Sequence, residues 1–114
     1  MTASTNAFAL FVIAVIRAPS KEMLPDIAQA LVAGGVMGIE VTMSTPKAID
    51  GIEMLADAMG DKIAVGVGTI LDAATAADAI HAGAQFVVSP AFFTSTPPVG
   101  VSLICGSGAS TSLK

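Results

Sequence analysis

A helix that ends in Ala-Gly and gives way within a few residues to an apolar strand occurs twice in this chain. The first copy is Leu31-Val32-Ala33-Gly34-Gly35-Val36-Met37-Gly38-Ile39-Glu40-Val41, and the second is Ile80-His81-Ala82-Gly83-Ala84-Gln85-Phe86-Val87-Val88. The two lie about two strand–helix units apart. Strands that alternate with helices through such short joints can pair only in parallel, because each helix carries the chain back to the start of the next strand. The pattern therefore predicts a β-α-β-α-β-α-β order, a parallel sheet and right-handed crossovers.

The residues fill that frame in order. Residues 1–7 are small and polar and read as a frayed, flexible N-terminus. Residues 8–16, rich in Val, Ile and Phe, read as a strand buried on both faces, stopped by Arg17 and Pro19. Residues 20–33 read as the first helix. Pro25 fits only its first turn, so regular helix is expected to begin near Leu24. Residues 36–42 form the second strand, with Met37, Ile39 and Val41 on one face and Val36, Gly38, Glu40 and Thr42 on the other. Thr45 is expected to cap the next helix with Pro46 at its first position. Ile49, Ile52, Leu55 and Met59 give that helix its apolar stripe. Residues 63–67 form the third strand. Gly66 and Gly68 share a face and remove side chains from whatever cavity it lines. Asp72 caps a third helix that Gly83 ends, and residues 86–89 form a fourth strand that ends at Pro90. From Ala91 to Lys114 the Ser, Gly and Pro content marks an irregular tail, in which only residues 99–105 could form another strand. The expected organisation is 1–7, 8–92 and 93–114.

Hydrophobic residues make up 54% of the 114 residues, charged ones 12%, and the net charge is −4. Phosphate binding needs concentrated Lys and Arg, so nucleic acid is excluded as a partner. The longest charge-free apolar run near the start falls well short of the roughly 20 residues of a spanning helix, so no membrane partner is expected. A signal peptide fits poorly, since no positive residue precedes the run and Arg17 follows it in place of a small-residue cleavage site. One cysteine, Cys105, allows no internal disulfide and agrees with a reducing, cytoplasmic setting.

Glu40 stands out. An ionised carboxylate within an apolar strand is costly unless it has partners or a task. Five segments then resemble one family, in order and spacing: Ala14-Val15-Ile16-Arg17, Leu31-Val32-Ala33-Gly34-Gly35, Ile39-Glu40-Val41-Thr42, Gly66-Val67-Gly68-Thr69 and Phe86-Val87-Val88-Ser89-Pro90. It is the 2-keto-3-deoxy-6-phosphogluconate / 4-hydroxy-2-oxoglutarate aldolase family, and the likeness covers residues 8–92. The resemblance implies an α/β fold. More narrowly, it implies a partial (β/α)8 barrel with about four parallel strands and three helices. It also implies a class I aldolase that releases pyruvate from a 2-keto acid, usually as a trimer and without a cofactor.

By the same resemblance Glu40 is the general acid/base. The resemblance implies that Arg17, Gly68, Thr69, Ser89 and Pro90 bind substrate, Thr69 at its pyruvyl part. Met43-Ser44 stands where some members carry an arginine, so the carboxylate-binding role falls to Arg17 or is vacant. The family's Schiff-base lysine, in a Lys-Phe-Phe-Pro-like run on the sixth strand, has no counterpart. Lys21, Lys47, Lys62 and Lys114 do not match that motif. The expectation is the first half of an aldolase, a truncated or frameshifted copy, inactive alone.

The blander readings stand beside these. Glu40 can be a plain strand-end carboxylate, Arg17 a solvated strand end, and Gly66 and Gly68 tight packing. A lone Gly-x-Gly-Thr lacks the third glycine and acidic partner of a dinucleotide site. His81 reads as solvent-facing and finds no second ligand for a metal, and Cys105 reads as a free thiol. A non-catalytic half-barrel that self-associates, or a generic four-stranded α/β binding module, are the competing classes.

Overall fold

The structure, a computed structural model, describes residues 12–89, 102–105 and 110–112. Residues 8–11 of the expected first strand, the N-terminal segment and Pro90 lie outside them. The elements run β1 (Ile13–Ile16), α1 (Leu24–Ala33), β2 (Gly38–Thr42), α2 (Ala48–Met59), β3 (Ala64–Gly68), α3 (Ala73–Ala82), β4 (Phe86–Ser89), β5 (Ser102–Cys105) and β6 (Ser110–Ser112). They form one sheet in sequence order, parallel from β1 to β5, with β6 antiparallel to β5.

Two strands more than the expected four therefore lie in the sheet, β5 inside residues 99–105, the one stretch of the tail read as able to form a strand, and β6 in the part read as irregular. Leu103 is buried beneath the helices and Ile104 packs on the opposite face. An apolar run reaching the open edge of β4 gains a full ladder there, which outweighs the turn-rich composition around it. The joint 106–109 is far shorter than the roughly dozen residues a parallel crossover needs, so β6 can only fold back antiparallel.

Local chemistry explains the helices. A 3₁₀ turn over Lys21–Met23 leads into α1, and Pro25 sits in its first turn, as its missing N–H requires. Asp72 accepts from the Thr75 N–H at 2.7 Å and caps α3, whose end Gly83 takes φ +118°. The expected cap of α2 is a correction. Lys47 occupies that position in the left-handed region, and the helix begins at Ala48. The Thr45 hydroxyl instead accepts from the Ala18 N–H at 3.2 Å, and Thr45 is buried. The β2–α2 loop is thereby tied to the loop that follows β1.

Alternation along the strands separates two faces. Ile39, Val41, Val65, Val67 and Val87 pack under α1, α2 and α3 against Leu24, Ala28, Ile52, Leu55, Met59 and Ala79. Each large side chain sealed there is worth about 1.5–3 kcal/mol. The opposite, inner face carries Ile13, Val15, Gly38, Glu40, Ala64, Gly66, Gly68, Phe86, Val88 and Ile104 by register. No helix of the described residues is long and apolar enough to cross a membrane.

Candidate active site

The inner face has its chemistry at one position. Glu40 is the one charged side chain in the described strands, and only 9% of its surface is exposed. The register aligns Val15, Glu40, Gly66 and Phe86 across four adjacent strands. Both glycines of β3 are filled from the neighbouring strands. A Cβ added to Gly66 would collide with the Phe86 ring, so the ring lies over the glycine. A Cβ added to Gly68 would fall 2.7 Å from Glu40 Oε2 and 3.0 Å from Val88 Cβ. The carboxylate thus leans along the strand direction and stands over Gly68, with Val88 on its other side. Among the described residues no donor reaches it, and burial pushes its pKa above the ordinary glutamate value. A carboxyl so placed can hold and release a proton nearer neutrality than a solvated one.

The other expected site residues divide. Arg17 follows β1 and Thr69 follows β3, both exposed, at the C-terminal ends of the strands, the end toward which Glu40 leans. Their loops are held firmly. The Ala18 N–H donates to Thr45, the Met43 N–H donates to the Gly68 carbonyl, and the Ile70 N–H donates to the Val88 carbonyl at 2.9 Å. Among the described residues Arg17 forms no ion pair with Glu40. Gly68 meets Glu40 directly. Ser89 is 1% exposed and shares the strand face of Val87, under the helices, so Val88 is the β4 residue presented beside Glu40. Pro90 lies outside the described residues.

None of the described lysines takes a place on the inner face. Lys21 pairs with Asp50 at 3.6 Å, Lys47 is exposed at the start of α2, and Lys62 precedes β3 at the opposite end of the sheet. The sequence reading missed Phe86 and Val88 as neighbours of Glu40. The signal was Gly66 and Gly68, whose missing side chains make room for a bulky neighbour as readily as for a cavity.

The family model for KDPG and KHG aldolase matches residues 6–101. The KHG/KDPG aldolase of Escherichia coli is 43% identical over 79 residues, which is 69% of this chain and 37% of that protein. The 2-dehydro-3-deoxy-phosphogluconate aldolase of Dickeya dadantii is 40% identical over the same shares of both chains. Among solved structures, the KDPG aldolase of Legionella pneumophila, with pyruvate captured at low pH as a covalent carbinolamine intermediate, is 35% identical with a TM-score of 0.66. That likeness covers 79% of this chain and 45% of that one. A 2-keto-3-deoxy-6-phosphogluconate aldolase from Zymomonas mobilis gives a TM-score of 0.59 at 38% identity, over 71% of this chain and 37% of that one. This chain therefore spans 37% of the length of the two curated relatives described. With five parallel strands in a row, the described sheet is a partial barrel of the same kind. The chain belongs to the KDPG and KHG aldolase family.

Proposed function

We propose that this chain provides the proton-transfer half of a class I aldolase site, acting on a 2-keto-3-deoxy sugar acid phosphate or 4-hydroxy-2-oxoglutarate in the cytoplasm. The observation that carries the reading is the buried Glu40 carboxyl over Gly68, at the end of the strands where barrel enzymes place their chemistry. In the full reaction a lysine amine adds to the keto carbon and loses water, giving an iminium. Glu40, through a bound water, takes the proton of the C4 hydroxyl as the C3–C4 bond breaks. The aldehyde leaves and the electron pair enters the enamine. Glu40 then returns the proton to C3, and hydrolysis frees pyruvate. Arg17 is the candidate for the substrate carboxylate and Thr69 for the pyruvyl group.

The 114 residues contain no lysine in the family's motif. By itself the chain is therefore expected to form no Schiff base. The purified chain with pyruvate and borohydride should keep its mass. Mixed with a fragment of the Escherichia coli aldolase that supplies the later strands, the adduct should form on that fragment. Pyruvate methyl-proton exchange should then appear and be lost in Glu40→Gln. A pyruvyl adduct on this chain alone overturns its inactivity, and exchange retained by Glu40→Gln overturns the role of Glu40.

A second reading, a non-catalytic half-barrel that self-associates or completes a second half, is favoured by β1. Among the described residues β1 ends the sheet, and Val12 and Val15 are 60% and 63% exposed there. Sedimentation as a compact monomer with protected strand amides counts against it.

A further inference from the structure

The inner face sets two glycines to different tasks. Gly66 receives an aromatic ring and Gly68 receives a carboxylate, although they are successive inner-face positions of one strand. Glu40 and Phe86 flank Gly66 from the strands on either side, in the same rung. With no side chain between them, the fully buried ring of Phe86 fills the gap at Gly66, one inner-face position toward the N-terminal end of β3 from the carboxylate over Gly68. Val88, one inner-face position further along β4, closes it from the far side of Gly68.

We propose that Phe86, seated in the gap at Gly66, is a positioning residue for Glu40: with Val88 it forms an apolar wall that confines the carboxylate over Gly68. This rests on the reading of Glu40 as the proton shuttle, and adds what sets its geometry and its proton affinity. No other charged side chain shares that face among the described strands. Arg17 and Lys47 lie in the loops beyond β1 and β2, are exposed, and form no ion pair with Glu40. The raised pKa of Glu40 has burial as its cause, which is what an apolar wall supplies.

The test is a site-resolved carbon-13 titration of the Glu40 carboxyl in the full chain, with a blocked glutamate peptide as the reference. The native Glu40 should titrate above the peptide. Phe86→Leu, which opens space for water beside the carboxyl, should move it toward the peptide. Val88→Thr, which offers a hydroxyl donor to the charged form at nearly constant shape, should do the same. A purely structural role for Phe86 would lower the melting temperature and leave the midpoint in place. If the native Glu40 titrates like the peptide, the wall sets nothing and the proposal fails, while methyl-proton exchange in Glu40→Gln decides the proton-shuttle reading separately. If it stands apart but neither variant moves it, the wall fails alone. Should Phe86→Leu not fold, Val88→Thr decides.

Discussion

The two faces of this one sheet are built to opposite rules. Under the helices, each strand from β1 to β5 contributes an apolar side chain to one continuous core, and that face carries the stability. The inner face has a small apolar cluster, two glycines filled from next door, an exposed Val15 and one buried acid. A carboxyl with no donor among the described residues destabilises the fold it sits in, because ionisation must occur without water's full solvation. The contrast teaches that the stability of the helix face offsets a local cost on the inner one, which is the usual sign of a functional position.

The comparison breaks most visibly on the helix face. Leu55→Ala removes a fully buried side chain between α2 and the sheet and should cost about 2–5 kcal/mol, read by urea denaturation. The Glu40 titration should stay where it was, since the two faces are independent. A smaller loss, about 1–3 kcal/mol, is expected for Gly66→Ala, whose new methyl must displace the Phe86 ring. Unlike Leu55→Ala, it should also shift the Glu40 titration. Were the two substitutions to affect that titration alike, the separation of the faces would be wrong.

Much of this division was legible beforehand. Val36-Met37-Gly38-Ile39-Glu40 has a phase, because its one charge and one glycine fix which face is which. Asp72, followed three residues later by Thr75, carries its cap in the sequence. Phe86-Val87-Val88-Ser89 has no such phase. It is apolar on both faces, so nothing local says that Val88 points toward Glu40 and Ser89 away. Thr45 misled for a related reason. A Thr before Pro looks like a helix cap, but its hydroxyl is taken by the backbone at Ala18, 27 positions away, a contact no local pattern records. β5 was legible only as a possible strand within residues 99–105, and β6 was hidden, because their pairing depends on the free edge of β4, which a turn-rich composition does not reveal.

The smallest effect is the most telling. Folding raises the Glu40 pKa, so the native state holds that proton more tightly than the unfolded chain. Stability must then fall as pH rises from the ordinary glutamate value through the raised one, and the loss is complete above it. Glu40→Gln lacks this term. Urea denaturation of the native chain and Glu40→Gln across pH 4 to 8 should show the variant gaining on the native protein as pH rises, with the gap levelling once pH has passed the raised Glu40 value. A gap independent of pH, or a native protein that gains on the variant toward neutrality, would contradict a carboxyl held protonatable on the inner face.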